Sequence, residues 1–486
     1  MTIPVHAPSA RYRHRFLILA ICCMSLLIVT MDTMAINVAL PSIRAEFGSS
    51  VSGLQWTVDA YTLILASLLI LSGSTADRIG RRTTFQLGLV VFTVGSLLCS
   101  FAPTTEWLIA FRAIQAIGGS MLNPVAMSII THTFDDPARR ARAVGAWSAV
   151  TGISMAVGPI VGGLLTDTVG WRGIFWINVP IGVAAIVLTA LFVPESRSGW
   201  RRRFDTVGQG LVMVMLGGLI GALIEGPHLG WAHPLTLALF VASAGAIAAF
   251  IPYELRRADP LIDVRFFRSI PFSAALGSVI SGFAAYSGFI FLMTLYLQEV
   301  RHFTPLEAGL HMLPMAVAQL VCSNVSGHLV GSGGTRIPLL ISAAAVLLAA
   351  VSLGIWLTPA APDLLVLAVF LIYGIGQGFL NAPITTMSVS GMPPSQSGSA
   401  AAVTSTARQV GTSLGVALAG ALTGLGAGAS MSGAYIDAAR RYWWLIVGLA
   451  VVIAALAWLA TSARGRRSRA GISHLLTEEA PPAPAG

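Results

Sequence analysis

Residues Leu26–Pro41 read LLIVTMDTMAINVALP and place a single carboxylate, Asp32, inside a long apolar run. The run covers residues 16–40, which is longer than a soluble strand or core helix needs and fits the ~20 residues of a helix that crosses a bilayer. A charged side chain at that depth costs roughly 2.5–3.5 kcal/mol on insertion scales. We therefore expect Asp32 to face a partner, water or a bound molecule, with the rest of the chain arranged around it.

The composition indicates that most of the protein surface faces lipid. Of the 486 residues, 55 % are hydrophobic and only 10 % are charged, whereas a soluble protein carries about 25 % charged residues. The net charge of +9 does not indicate nucleic-acid binding, because the arginines lie in short segments between apolar runs. The four cysteines all lie inside apolar runs and predict neither a disulfide nor a metal site. The sequence therefore predicts an integral membrane protein.

Apolar runs separated by polar turns predict an all-α fold with about fourteen transmembrane helices. Arginines concentrate at one end of the predicted spans, and the positive-inside rule places that end in the cytoplasm. Both chain termini are then cytoplasmic. Residues 1–15 form a polar, basic N-terminal segment, and the polar tail 462–486 is expected to be disordered.

Two segments recur at nearly constant spacing and predict an internal repeat. GSTADRIGRR (73–82) follows the second span and GHLVGSGGTR (327–336) follows the tenth. IGGSMLN, which ends at Asn123, and IGQGFLN, which ends at Asn381, lie in the fourth and twelfth spans. The repeat predicts two parallel six-helix bundles with an inserted helix pair, a plan typical of secondary transporters with the ligand site between the bundles. The predicted units are the N-terminal bundle 16–195, the inserted pair 205–254 and the C-terminal bundle 269–461.

Over nearly its whole length the chain resembles the major facilitator superfamily, and specifically its fourteen-span branch of drug:proton antiporters. The resemblance rests on the first-span motif around Asp32, the loop motif after the second span, the fourth-span motif at Arg112 and the glycine-rich fifth span. Ala116 stands where the family usually has Gly in the fourth span. The loop motif matches at Gly73, Asp77, Arg78, Gly80, Arg81 and Arg82, and the fifth-span motif matches at Gly152, Gly158, Pro159, Gly162 and Gly163.

Three ionisable residues, Asp32, Asp59 and Arg112, are predicted at a similar depth and are expected to line one vestibule. Desolvation favours the protonated form of Asp32 and a guanidinium favours the ionised form, so Asp32 is expected to alternate between them. A cationic compound would then compete with the proton for Asp32. The alternative is a fixed Asp32–Arg112 ion pair that only holds the bundle together. Arg408, which has no acid nearby in sequence, is expected to meet Asp32, Glu225 or an anionic part of a transported compound.

The two glycine-containing motifs are expected to act as gates. Small residues four apart in the fifth span allow helices to approach closely, and Pro159 bends the span. We expect this contact to seal the outer exit, the alternative being ordinary packing. The 73–82 loop is expected to be a cytoplasmic latch between the bundles as well as a topology signal. Its second copy at 327–336 lacks the acid, so the coupling chemistry is expected in the first half.

The resemblance and the residues together imply a proton-coupled antiporter that exports lipophilic, in particular cationic, drugs or antibiotics across the bacterial plasma membrane by alternating access. It would need no cofactor beyond the proton gradient. Its partners would be small lipophilic molecules, protons and membrane lipids, with no nucleic acid, and we expect a monomer. An exporter of a self-made metabolite, siderophore or lipid stays open, and a nutrient importer is the lesser alternative. No nucleophile–base or metal constellation indicates an enzyme.

Overall fold

The computed structural model describes residues 14–134, 136–196, 205–257, 261–390, 392, 397–423 and 433–468. Within these ranges the chain is helical and contains no β-strand. Residues 1–13 of the predicted N-terminal segment and residues 469–486 of the predicted tail lie outside the described residues.

We describe the α-helices in three consecutive groups, which follow the units predicted from the sequence. The first half contains α1 (Arg15–Phe47), α2 (Val51–Ile79), α3 (Arg81–Ser100), α4 (Thr105–Thr133), α5 (Pro137–Val169), α6 (Gly173–Trp176) and α7 (Asn178–Phe192). The inserted pair consists of α8 (Thr206–Leu229) and α9 (Pro234–Leu255). The second half contains α10 (Ile270–Leu295), α11 (Pro305–His311), α12 (Leu313–Gly333), α13 (Arg336–Trp356), α14 (Asp363–Val389), α15 (Ser397–Thr423) and α16 (Gly433–Thr461).

Helix length and composition identify a membrane protein. In the described part of the chain, 13 helical stretches are long and apolar enough to cross a bilayer. The 27-residue α15 is also long enough, but its polar side chains, Arg408 among them, make it less apolar than these stretches. It packs between α2, α8 and α10 and is therefore part of the same bundle. The predicted all-α membrane fold is confirmed.

Short capped turns join the long helices. α1 ends at Gly48, whose φ of +64° is left-handed and whose N–H donates to the Arg44 carbonyl at 2.8 Å. This is a common way to end a helix, because glycine adopts that conformation without steric cost. Two residues later, Ser50 caps α2 by accepting from Gly53 N at 3.1 Å. Such turns force consecutive helices to run antiparallel.

The helices pack mainly within their own group. In the first half α3 packs on α4, α1 on α5 and α2 on α4, and in the second half α12 packs on α14, α10 on α15 and α13 on α16. α8 packs on α9 and also contacts α2 and α15, so the inserted pair lies against both halves. We call the end of the bundle where α1 begins the terminal end, and the end that contains Gly48 the distal end.

Candidate functional site

Asp32 lies in α1 and is enclosed by side chains of the first half. Its Oδ2 accepts a hydrogen bond from Arg112 Nη1. Its Oδ1 accepts from Gln115 Nε2 and from Asn178 Nδ2, both at 2.9 Å. Asp32 is 1 % exposed and Arg112 is fully buried. These donors engage both oxygens of the carboxylate in a place that water does not reach. We call the four residues the Asp32 cage.

The Arg112 guanidinium extends the cage to a further helix. Its Nε donates to the Thr57 carbonyl of α2 at 3.3 Å, and its Nη1 also donates to Gln115 Oε1 at 2.9 Å. Its Cζ lies 4.3 Å from the centre of the Tyr61 ring. The ion pair and its hydrogen bonds therefore join α1, α2, α4 and α7.

The enclosure bears on how Asp32 can act. Because the carboxylate is buried inside the first half, a compound between the two halves does not touch its oxygen atoms in this conformation. Direct competition between a cation and a proton for Asp32 would require the cage to open. The structure thus shows the ion pair, and the role of that pair stays a prediction.

Asp59 lies at the contact between the two halves instead of beside Asp32 and Arg112. It is fully buried in α2, and its Oδ1 accepts from Thr62 Oγ1 at 3.3 Å. The Thr62 hydroxyl is also 2.6 Å from Ser413 Oγ of α15. Asp59 Oδ2 is buried without a hydrogen-bond partner. The expected vestibule shared by three charged groups is therefore replaced by two separate buried sites.

Arg408 in α15 forms an ion pair with neither of the acids considered for it. Asp32 is bound by Arg112, and Glu225 accepts a hydrogen bond from Trp56 Nε1 at 2.7 Å. The Arg408 Cζ lies 5.0 Å from the centre of the Phe283 ring in α10. Its Nε is buried without a hydrogen-bond partner.

The loop motif between α2 and α3 binds the end of α7. The Glu195 carboxylate accepts from the backbone N–H of Arg82 at 3.1 Å and of Thr83 at 3.2 Å. Gly80 approaches Glu195 closely with a φ of +118°, a conformation that L side chains rarely adopt. The sequence reasoning missed Glu195, although it follows the sixth predicted span directly.

The remaining residues of the motif extend along the last turns of α2 into α3. Asp77 lies 3.8 Å from Arg81, Gly73 has open space around it, and Arg78 is exposed. Arg82 Nη2 donates to the Ala190 carbonyl of α7 at 2.7 Å. In this conformation the predicted latch is thus bound to its own half.

The glycines of α5 form two kinds of contact. Gly158 and Gly162 face α1, where an added Cβ would lie 2.7 Å from Met34 Cβ and 2.8 Å from Ala35 Cα. This contact lies within the first half and accounts for the close approach of α1 and α5.

The other residues of the α5 motif face the second half. A Cβ on Gly163 would lie 2.5 Å from the Pro305 carbonyl oxygen of α11, and one on Gly152 would lie 2.9 Å from Leu320 Cδ1 of α12. The Pro159 carbonyl closely approaches Gly309. α5 therefore joins the halves through close contacts at glycines, where an added side chain would clash.

Polar contacts add to this junction at the distal end. Arg44 Nη1 of α1 donates to Glu299 Oε2 at 2.8 Å, just beyond α10, and Gln298 Nε2 donates to the Val38 carbonyl at 2.8 Å. We call these four residues the distal seal. These contacts were not predicted from the sequence. The sequence offered one indication of this contact, because the basic Arg44 and the acidic Glu299 follow the equivalent first spans of the two halves at the same end.

The second half replaces the cage with aromatic rings. At the spacing that separates Asn123 from Asn381, Arg112 corresponds to Phe370 and Gln115 to Tyr373. Phe289 stacks on Tyr373 with ring centres 4.1 Å apart and meets Phe370 edge-on at 5.3 Å. The buried ion pair is therefore a property of the first half.

Comparisons with known proteins agree with this architecture. Residues 22–416 match the family model described as Major Facilitator Superfamily. Multidrug resistance protein Stp of Mycobacterium tuberculosis is 34 % identical over 399 residues, which cover 82 % of this chain and 74 % of that protein. The tetracenomycin C resistance and export protein of Streptomyces glaucescens is 34 % identical over 423 residues, covering 86 % and 78 %. The methylenomycin A resistance protein of Streptomyces coelicolor is 33 % identical over 446 residues, covering 90 % and 91 %.

The fold also resembles a solved structure. A bacterial homolog to the human lysosomal transporter Spinster, in an inward-facing and unoccupied conformation, gives a TM-score of 0.63 at 19 % identity and covers 95 % of this chain and 98 % of that one. At this identity the likeness establishes the fold alone.

Proposed function

The chain belongs to the Major Facilitator Superfamily, whose members are membrane transporters and not enzymes, and on that premise we propose that it exports lipophilic compounds in exchange for protons. Relatives named for multidrug resistance, tetracenomycin C export and methylenomycin A resistance support the direction and the kind of cargo. The observation that carries the proposal is the Asp32 cage, a buried titratable group held by donors from the first half.

The arginine distribution supports an orientation with the terminal end in the cytoplasm of a bacterial cell, both chain termini inside and the distal end outside. The distal seal then closes the outer side, which corresponds to an inward-facing conformation. We take the transporter to act as a monomer of two rocking halves, 16–195 and 269–461, with 205–254 inserted between them.

Proton binding to Asp32 would change the cage without requiring contact with the cargo. The neutral acid loses the attraction of Arg112, which then lacks a partner in a buried place. Because Val38 and Arg44 of the distal seal lie on the same helix as Asp32, loosening of the cage is transmitted along α1 to the outer end. Proton and cargo therefore compete through two conformations and not for the same oxygen atoms.

Asp59 is the second candidate proton site. Its Oδ2 lacks a partner at the contact of α2 with α15, so protonation there would alter the junction between the halves directly. The loop motif, held on α7 by Glu195 in this conformation, would meet the second half when the cytoplasmic end closes.

The proton gradient is sufficient as the energy source. One proton that moves inward releases ~2.3 kcal/mol per 100 mV of membrane potential. At about 1.4 kcal/mol per factor of ten, this supports a roughly fiftyfold gradient of a neutral compound. No cofactor is needed for such exchange. Within the described residues, no group of three or more His, Cys, Asp or Glu side chains is arranged to hold a metal ion.

Cellular accumulation tests the proposal. Cells that express the chain should retain less of a lipophilic dye than cells with an empty vector, and a protonophore should abolish the difference. Higher retention, or a difference that survives the protonophore, would overturn the export or the proton coupling respectively.

Export of a compound made by the host cell is a second candidate, favoured by a relative named a probable actinorhodin transporter. This second candidate function assumes the same fold and the same coupling site as the first. Deleting the gene in its native host separates the two: loss of a secreted compound with unchanged drug sensitivity would favour this candidate.

A further inference from the structure

We propose that the second half contains a binding site for the acidic group of an aromatic compound, formed by Arg408 and Phe283. This inference rests on the proposed export function and refines its cargo, since the site selects compounds that carry a carboxylate in addition to an apolar ring system.

The Arg408 charge is not balanced within the described protein. Its Nε is buried without a hydrogen-bond partner, and no carboxylate of the described residues lies within 4 Å of the guanidinium. Its one marked contact is with Phe283, 5.0 Å from Cζ to the ring centre. A guanidinium in a membrane-spanning helix requires a partner. Arg112 has one in the Asp32 carboxylate, whereas Arg408 has no such carboxylate beside it.

The ring that Arg408 contacts lies beside the junction of the halves, because Phe283 packs against Tyr286 with ring centres 6.3 Å apart and Tyr286 Oη donates to Met34 Sδ of α1 at 3.7 Å. Val410 and Leu414 pack against apolar side chains of the inserted pair, and Ser413 meets α2. Gly411 lies against α10, where an added Cβ would be 3.1 Å from Phe283 Cβ. Arg408 itself is partly exposed and lies against the Phe283 ring of α10.

Further polar atoms without partners lie at the same level of the second half. The Leu380 side chain of α14 packs directly on Gly282 of α10, which places α14 beside Phe283. The next residue, Asn381, has a buried Oδ1 without a partner, and so does Gln377 at its Oε1 one turn away. A ligand with hydroxyl or amine donors next to its acid would satisfy these atoms.

The charges around the site favour a ligand that carries a carboxylate over one that carries a positive charge. Asp32 is paired with Arg112 inside its cage and Asp59 is fully buried, so neither carboxylate is accessible to a cation between the halves in this conformation. An anionic oxygen beside Arg408 would form a charge-assisted hydrogen bond, and the Phe283 ring would stack on an aromatic body. Rhodamine 110 and rhodamine 123 are suitable probes, because they share one ring system and differ in a free carboxylate against its methyl ester.

The test measures binding of both dyes to the purified full chain by fluorescence anisotropy. The wild-type chain should bind rhodamine 110 more tightly than rhodamine 123. Arg408→Gln should weaken rhodamine 110 about tenfold, as expected for one charge-assisted hydrogen bond, and leave rhodamine 123 within about twofold. Arg408→Lys should restore part of the preference, and Arg336→Gln, which removes an exposed arginine at the start of α13, should change neither.

Two further readouts keep the outcomes distinct. Arg408→Gln removes an unpaired charge from a membrane-spanning helix, so its melting temperature should equal or exceed that of the wild type. A large decrease would indicate a structural partner and overturn the proposal. Equal binding of the two dyes by the wild type, or equal weakening by Arg408→Gln, would also overturn it. If binding depends on Arg408 but a pH gradient drives no transport, the binding site is supported and the proposed export function is contradicted.

Discussion

Arg112 donates a hydrogen bond to Asp32 in a place where neither side chain contacts solvent. The pair lies within the first half. In the second half, the position equivalent to Arg112 is the aromatic Phe370. The two halves therefore share a helical plan but differ in chemistry. A charge that can be neutralised by one proton is present on one side of the pseudo-symmetric axis, which gives the first half the sensing role in the proposed cycle.

The first prediction concerns the stability of this pair. Asp32→Asn or Arg112→Gln alone leaves a buried charge without its partner and should cost roughly 3–5 kcal/mol. The double variant Asp32→Asn/Arg112→Gln should recover much of that loss, because no charge then remains. Melting temperatures of the four proteins in one detergent measure the coupling. Additive losses in the double variant would show that the two side chains do not depend on each other.

The second prediction concerns the distal seal. Arg44→Ala removes the partner of Glu299 across the two halves and should raise amide hydrogen exchange several-fold in residues 296–303, because the distal end opens more often. Arg172→Ala is the matched control, since Arg172 pairs with Glu46 inside the first half. It should leave exchange in residues 296–303 unchanged. An equal rise in both variants would mean that the Arg44 pair does not hold the halves together.

The third prediction separates packing from flexibility in α5. Gly163→Ala places a methyl group 2.5 Å from the Pro305 carbonyl oxygen and should destabilise the closed distal end by about 1–3 kcal/mol, with a several-fold loss of transport. Gly145 on the same helix has no atom within 4 Å of an added Cβ, so Gly145→Ala should be neutral or slightly stabilising. Dye efflux and melting temperature are the measurements. Wild-type efflux by Gly163→Ala would refute the close contact.

The fourth prediction compares two glycines of the loop motif. Gly80→Ala forces a side chain into a φ of +118° next to Glu195 and should cost roughly 1–3 kcal/mol. Gly73→Ala adds its methyl group in open space within α2 and should not lower the melting temperature. Equal effects of the two substitutions would show that the glycines serve only as flexible positions.

Much of the fold follows from the sequence because the bilayer dictates it. Hydrocarbon thickness requires helices of ~20 apolar residues, and the described helices follow those runs. The repeated segments that end at Asn123 and Asn381 predict the division into two halves. α15 was also expected as a span, although its composition alone does not identify it as one.

The neighbours of each buried group were much less predictable. Helix periodicity tells which residues share a face, but it does not tell which helix lies opposite. Asn178 is far from Asp32 in sequence and donates to it only because α7 packs beside α1. Glu195 and Glu299 were missed for the same reason, since each forms its contact with another helix. Asp59 is a further case, since its neighbour Thr62 contacts Ser413 of α15 in the other half.

The central claim is that the charge on Asp32 couples cargo movement to protons. Proteoliposomes with an imposed pH gradient test it most directly, by comparing dye accumulation driven by the gradient with dye exchange at equal pH. Asp32→Asn should abolish the accumulation and retain measurable exchange, whereas Asp437→Asn, at a surface residue of α16, should behave as the wild type. Accumulation by Asp32→Asn at the wild-type rate and extent would contradict the claim.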